Sequence, residues 1–400
     1  MATLRVPLKT YCGPRWRRLR CSQPSRLLRS SSPPSQLLAT VLRGTLSLGR
    51  AWLLLSGLLW GCGTLGDASE LPDTWPRTPL RGFALRDAET PLLISQSGSV
   101  LDQPTVQPQP EGSSRLVVWG RRSERGQSAR SSLFRSEVTD LAIPTTPQSE
   151  VMPTGWEGTA LRAPTWLAAE STDGLGPLLL YQGEDGSVGV ASVDDTGSLQ
   201  RLTPTAPLLS RRVLLGPEPG PTGMGDKPSE LGRISIVTLG EQLRLYYTVD
   251  ATYLRFAQLS KAGLQARLRG EAAEVPVVLS EPVLWASDFE ILSGRSDRKP
   301  AQRLDGVMVR AVLTPTGRQR LDLYAAAAIP TKSMLVAASL YPGSSPSGAG
   351  ERFLPVEAPL LAANTEGEPS SPTLTIYQGQ PLLLLGLRQV STGIAAAVMK

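Results

Sequence analysis

Histidine is absent from this chain of 400 residues. Its absence excludes the Ser-His-Asp triad, the Cys-His dyad, His-ligated metals and an imidazole general base. Any catalysis would therefore depend on carboxylates, Ser/Lys pairs, tyrosine or arginine. A phosphate loop ending in Gly-Lys-Ser/Thr and a calcium loop of the Asp-x-Asp-x-Asp-Gly type are also missing. We therefore expect neither a cofactor nor a metal site.

Acidic residues are absent from positions 1–66, although this segment holds ten of the 41 basic residues. The rest of the chain has 31 basic and 35 acidic residues. The formal net charge of +6 therefore arises from the N-terminal segment, while the remainder carries −4. A basic chain suggests nucleic-acid binding, but here the basic charge lies outside the globular part. We expect no nucleic-acid partner.

Cysteine occurs only three times, at positions 12, 21 and 62. Cys62 follows the uncharged apolar run 51–60, which is half of the roughly 20 residues that a membrane-spanning helix needs. That run has the length of the hydrophobic region of a signal peptide, with basic residues before it. Cleavage before Cys62 would remove the other two cysteines, and acylation would account for an unpaired thiol in an exported protein. The alternative is a buried hydrophobic segment with an incidental cysteine.

The tetrapeptide Leu59-Trp60-Gly61-Cys62 resembles the lipobox of bacterial lipoproteins, with Trp60 where a small residue is usual. The resemblance implies a membrane anchor of acyl chains such as palmitate on Cys62. Because Gly63 rather than Asp follows, it also implies the outer membrane. We predict a leader over 1–61 and a lipid-anchored flexible linker over 62–90. Residues 1–40 are long for a signal peptide, and an organellar transit peptide or a start codon assigned too far upstream would each explain them.

Short strand-type runs separated by Gly, Pro, Ser and Asp fill the chain beyond residue 90. Five of them recur 61–78 residues apart: 115–119, 177–181, 243–247, 321–325 and 382–386. Ala-rich runs follow most of them, and another short run usually precedes. Near-constant repetition of antiparallel strands is typical of a β-propeller, whereas a sandwich or barrel would not explain five similar units. We predict an all-β, monomeric five-bladed β-propeller over 91–400.

Two details of the fourth unit are also predicted. The run Phe289–Leu292 is the strand expected before 321–325, and Asp305-Gly306 is a hairpin-turn signal.

The second unit, Ala163–Gly197, has the pattern x-Pro-x-x, Leu-Leu-Tyr, Gly-Val-Ala-Ser and Asp-x-x-Gly. This pattern resembles the five-bladed propellers of the arabinanase and β-fructosidase type of glycoside hydrolase. The resemblance implies three carboxylates at the inner ends of successive blades: a base, an orienting acid and a general acid. Asp102 matches the first position. Thr165 stands where the second blade of the family has Asp, and Glu230-Leu231-Gly232 replaces Glu-Gly-Pro, so the catalytic positions are degenerate.

Asp102 and Glu230 are nevertheless the candidate catalytic residues, although both lie beside turn residues and would equally cap backbone N–H groups. Trp156, between Gly155 and Glu157, is the candidate platform for stacking on a sugar. Three functions remain open. They are a non-catalytic propeller that binds a carbohydrate, envelope component or protein; a divergent glycosidase using Asp102 and Glu230; and a structural envelope protein without a small ligand.

Overall fold

A computed structural model describes much of the chain from residue 83 onward. The described residues are 83–85, 91–95, 98–109, 113–169, 172, 174–194, 196–216, 229–271, 274–279, 281–292, 297–314, 317–343, 350–356, 368–388 and 393–399. Cys62 and the segment 1–61 lie outside them. Among the described residues, none of the helices has the length and apolar character needed to cross a membrane.

Five antiparallel sheets form the blades of a β-propeller, which confirms the predicted fold. From the axis outward, blade one contains β2 (Ser99–Val106), β3 (Leu116–Glu124), β4 (Gln127–Val138) and β5 (Ser149–Val151). Blade two contains β6 (Arg162–Leu167), β7 (Leu178–Gln182), β8 (Val188–Val193) and β9 (Leu199–Arg201). Blade three contains β10 (Leu231–Leu239), β11 (Gln242–Val249), β12 (Tyr253–Ser260) and β13 (Val277–Val278), with β14 (Leu284–Trp285) also pairing with β12.

Blade four contains β17 (Arg303–Leu313), β18 (Gln319–Ile329), β19 (Lys332–Leu340) and β20 (Leu354–Val356). Blade five contains β21 (Glu368–Tyr377), β22 (Gln380–Arg388), β23 (Ile394–Met399) and β1 (Phe83–Leu85). Between blades three and four, β15 (Glu290–Leu292) and β16 (Arg298–Pro300) form a separate two-stranded sheet. The helices are short: α1 (Arg211–Leu215), α2 (Lys261–Leu268) and the 3₁₀ turns Gly155–Glu157 and Ala286–Asp288.

The ring is closed by the N-terminal strand of the described chain. Strand β1 pairs antiparallel with β23, so Phe83 lies opposite Met399 and blade five combines both ends of the propeller. These three residues lie inside the predicted linker 62–90, which is therefore wrong over 83–85. Phe83 is buried in the apolar cluster between blades four and five. A run of three residues, flanked by arginine, proline and acidic residues, is too short to show the alternation of a strand. The sequence alone therefore does not distinguish Phe83–Leu85 from a linker.

One apolar cluster fills each interface between adjacent blades. The alternation of side chains along a strand explains why the second strand of each blade is almost wholly apolar. In β7, Leu178 and Leu180 pack toward blade three, whereas Leu179 and Tyr181 pack toward blade one. Because both faces of the sheet are buried, a continuous Leu-Leu-Leu-Tyr run is required instead of an alternating one. The same arrangement holds in β22.

The prediction for the fourth unit is wrong in two details. Phe289–Leu292 does not form the innermost strand of blade four; its last three residues form β15, in the small sheet. The innermost strand is β17, and Asp305-Gly306 lies within it rather than in a hairpin turn. The reason is a β-bulge at this dipeptide, where a glycine with positive φ interrupts the ladder without ending the strand.

Candidate functional site

The innermost strands of the five blades share one irregularity near their N-terminal ends. Each has a bulge, and the residues immediately before these bulges occupy equivalent places around the axis: Asp102, Arg162, Leu231, Asp305 and Ser370. In four blades the next residue has φ between 46° and 60°, a left-handed conformation. The bulges turn the backbone toward the axis, and proline, which has no N–H to offer a ladder, follows in three of them.

These bulges surround a pocket of about 170 Å³ at the mouth of the propeller axis. Every blade contributes to its wall, through Gln103, Arg162, Gly232, Asp305 and Ser371. The pocket is polar because bulge residues and strand ends, rather than core positions, line it. This mouth is the candidate site.

Asp102, the first candidate catalytic residue, is held in an ion pair. Its Oδ1 and Oδ2 accept hydrogen bonds from Arg121 Nε at 2.7 Å and Nη2 at 2.5 Å. Arg121 lies directly opposite on β3, so the strand register itself creates the pair. Burial lowers the pKa of Arg121, but the Asp102 charge and hydrogen bonds outweigh it and leave this pKa raised. Both oxygens of the carboxylate are therefore occupied by a guanidinium that stays charged.

Arg162 occupies the place of blade two that is equivalent to Asp102. Thr165, which the sequence comparison set against the Asp of the family, lies beyond the bulge, where its buried hydroxyl donates to the Ile234 carbonyl at 2.6 Å. A cation thus stands in blade two at the place that Asp102 holds in blade one.

Glu230, the second candidate catalytic residue, lies just before β10 and lines the mouth. Its backbone is fixed by two hydrogen bonds to Asp250: the Glu230 N–H donates to Asp250 Oδ1 at 2.7 Å, and the Asp250 N–H donates to the Glu230 carbonyl at 2.8 Å. The side chain is 64% exposed, with Oε1 3.8 Å from Arg162 Nη1. When the blades are aligned on their bulges, Leu231 holds the place equivalent to Asp102. The carboxylate of Glu230 therefore stands one residue before that place in the sequence.

Arg233 closes the axis beneath the mouth. Its Nη2 donates to the carbonyls of Pro104 at 2.9 Å and Pro164 at 3.4 Å and to Thr373 Oγ1 at 3.1 Å. Its Nη1 donates to the Pro372 carbonyl at 3.4 Å, so a side chain of blade three joins blades one, two and five. Burial lowers the pKa of this guanidinium to about 10, against the smaller, opposite effect of Asp102. Arg233 stands at the bulge position that holds proline in those three blades.

Trp156 lies away from the axial mouth. Its ring stacks on Tyr181 with centroids 6.3 Å apart, and its Nε1 donates to the Thr203 carbonyl at 2.9 Å. Next to it, the fully buried Glu157 accepts hydrogen bonds from Arg201 and Tyr181. The half-buried indole is therefore part of a packed corner, and its predicted role as a sugar platform stays a prediction.

Sequence reasoning missed five of the charged residues in this region: Arg121, Arg162, Arg233, Arg303 and Asp305. A signal was available for Arg162, which stands two residues before a proline of the innermost strand, as Asp102 does. Asp305 has no such proline, and its place follows only from the strand register. Arg121 is identified only by its place opposite Asp102 in the strand pairing, and Arg233 only by its position beneath the mouth on the axis. Among the described residues, no cluster of three or more Cys, Asp or Glu side chains is arranged to hold a metal ion.

The sequence matches no protein-family model, and no curated protein sequence is significantly similar to it. Solved structures resemble the fold at low identity. The catalytic domain of a GH62 α-L-arabinofuranosidase from Coprinopsis cinerea superposes with a TM-score of 0.51 at 14% identity, over 82% of this chain and 98% of that one.

Two further structures resemble the chain to a similar degree. The α-L-arabinofuranosidase PaAbf62A from Podospora anserina, solved in complex with cellotriose, gives a TM-score of 0.50 at 13% identity, over 83% of this chain and 98% of that one. A glycosyl hydrolase from Bacteroides ovatus gives 0.51 at 12% identity, over 82% and 96%. At these identities the likeness shows the fold: a five-bladed propeller that also occurs in glycoside hydrolases.

Proposed function

We propose that this protein is a carbohydrate-binding propeller without glycosidase activity and that the axial mouth is its binding site. The observation that carries the proposal is the Asp102–Arg121 pair, in which both oxygens of the carboxylate accept hydrogen bonds at 2.7 and 2.5 Å. The similar solved structures include arabinofuranosidases, which supports a carbohydrate as the ligand class.

Glycoside hydrolysis needs two carboxyl groups about 5–10 Å apart, one to donate a proton and one to act as base or nucleophile. Asp102 is held by a charge-assisted bidentate pair, and such pairs are the strongest hydrogen bonds that a carboxylate makes in a protein. The equivalent place in blade two is Arg162, and in blade three it is Leu231. Polar groups from five blades remain available to orient a sugar, while the acid–base arrangement is incomplete.

The test is a binding screen of the purified protein against a panel of oligosaccharides, with product analysis on every ligand that binds. We expect binding to at least one class of glycan and no cleavage of it. Absence of binding to the whole panel would contradict the proposal.

The alternative, a divergent glycosidase using Asp102 and Glu230, is favoured by one observation. Glu230 lines the mouth and keeps most of its carboxylate exposed. A Glu230→Gln variant separates the two functions, because it would abolish turnover by a hydrolase but leave a binding protein able to bind.

We further propose that the protein is exported and held at a bacterial outer membrane by acyl chains on Cys62. The support is the sequence pattern at 51–62. Intact-mass analysis of the membrane-extracted protein should show a chain that starts at an acylated Cys62, and Cys62→Ser should remain uncleaved or be released as soluble protein. A mature, membrane-bound protein with an N-terminus upstream of residue 41 would contradict this proposal.

A further inference from the structure

Guanidinium groups dominate the charge of the axial mouth. Four arginines line it, at positions 121, 162, 233 and 303, against the two acids Glu230 and Asp305 in the wall and Asp102, which is paired with Arg121. The chain from residue 67 onward has a net charge of −4, so the excess of positive charge is local to this pocket. A concentration of one sign of charge in a concave site indicates a ligand of the opposite sign.

Arg162 is the arginine best placed to receive such a ligand. Its Nη1 is 3.8 Å from Glu230 Oε1, beyond hydrogen-bond distance, and its Nη2 makes a 3.3 Å hydrogen bond to the Glu184 carbonyl. Its Nε is buried and has no partner. Burial lowers the pKa of Arg162, and the nearby charges of Arg121 and Arg211 lower it further, against the opposing effects of Glu230 and Asp185. Among the described residues, no carboxylate holds Arg162 through two hydrogen bonds as Asp102 holds Arg121.

A second pocket of about 330 Å³ adjoins the mouth on the side of blades four and five. The two pockets share Arg303 and Asp305 in their walls and are therefore adjacent, and we refer to them together as the groove. Lys332 adds a further cation to the outer part. The axial pocket alone, at about 170 Å³, is smaller than pockets that bind drug-sized ligands, which have volumes of roughly 300–1,000 Å³. It therefore suits one terminal unit of a longer ligand.

We propose that this groove binds an acidic oligosaccharide, with the carboxylate of a uronic acid unit paired to Arg162 and the chain passing over Arg303 toward Lys332. The inference rests on the proposed carbohydrate-binding function and specifies its ligand class. A carboxylate suits the site because planar guanidinium groups bind it through two parallel hydrogen bonds. Asp102 and Arg121 show that geometry in the same mouth.

The test compares an oligosaccharide of galacturonic acid with its methyl ester, which has the same sugar backbone without the charge. Titration calorimetry on the full protein should give a dissociation constant about tenfold or more lower for the acid, since hydrogen bonds to charged groups are the stronger class. This preference should weaken as the salt concentration rises.

Three variants locate the carboxylate. Arg162→Gln and Arg303→Gln should reduce the preference for the acid several-fold. Glu230→Gln should strengthen binding of the acid, because it removes the carboxylate nearest Arg162. Arg298→Gln is the matched control, as Arg298 is exposed on β16 outside the groove, and it should leave the affinity unchanged.

The outcomes separate this inference from the function on which it rests. Equal binding of acid and ester, or binding of neutral glycans alone in the panel, overturns the acidic ligand and leaves carbohydrate binding standing. Preference for a different acidic glycan, lost in Arg162→Gln, supports the inference. Failure to bind any glycan overturns both.

Discussion

Arg233 shows how one side chain can hold the centre of a propeller together. Its guanidinium donates to carbonyls of three other blades at the bulge prolines, where backbone oxygens converge on the axis. A buried carbonyl without a donor costs about 1–3 kcal/mol. The planar, forked shape of arginine supplies donors in several directions at once, whereas the ammonium of lysine is a compact charge.

Arg233→Lys should therefore lower the free energy of unfolding by about 2 kcal/mol, because it keeps the buried charge but loses part of the hydrogen bonding. Urea denaturation measures the effect. Arg298→Lys, on an exposed strand, is the control and should leave the midpoint unchanged. Equal midpoints for Arg233→Lys and the native protein would show that the axial hydrogen bonds contribute nothing to stability.

Among the elements, the bulge of β17 places a tight demand on a single residue. Gly306 has φ of 60°, and a Cβ added to it would lie 2.2 Å from the Cα of Ser371 in blade five. Backbone cannot move aside as a side chain can, so the innermost strands of blades four and five approach closely only because this position is glycine.

Gly306→Ala should destabilise the protein by about 3 kcal/mol or more, through the clash together with the left-handed conformation. Gly240 provides a matched comparison, since it also has φ of 60° but has no atom within 4 Å of an added Cβ. Gly240→Ala should cost only about 1 kcal/mol. Similar losses in the two variants, measured by urea unfolding, would contradict the close approach of the two strands.

The strands that could be predicted from the sequence are those with a clear pattern of apolar residues. The second strands of the blades, such as β7 and β22, are buried on both faces and therefore read as continuous apolar runs. Strand β1 and the bulged start of β17 were not predictable. β1 is too short for a period, and the ladder across Asp305-Gly306 depends on a neighbouring blade. The site shows the same limit: Glu230 was found from sequence, but Arg162 was identified only through the bulge register.

For the whole molecule, buried tyrosines predict sensitivity to alkaline pH. Burial raises the pKa of Tyr246 to about 12 and raises the pKa of Tyr181, Tyr247 and Tyr324 as well. In the unfolded chain these phenols ionise near pH 10. Above that pH the unfolded state loses protons that the folded state keeps, so stability is complete below about pH 10 and falls as pH rises.

Arg233 acts in the opposite direction, because its lowered pKa makes the folded state lose a proton first above about pH 10. Burial lowers the pKa of Arg162 and Arg310 as well, but four tyrosines outweigh these three arginines, and the net stability should fall. Phenolate absorbance followed together with circular dichroism checks this prediction. We expect these tyrosines to ionise as the protein unfolds. Their ionisation near pH 10 in a folded protein would contradict it.

The central claim concerns the whole propeller: it binds a carbohydrate and does not cleave it. The most direct measurement pairs calorimetric binding with chromatographic analysis of products, on a glycan that the protein binds, for the native protein and Glu230→Gln. The account predicts that both proteins bind and that neither releases a product. Cleavage by the native protein, lost in a Glu230→Gln variant that still binds, would contradict it and establish a glycosidase.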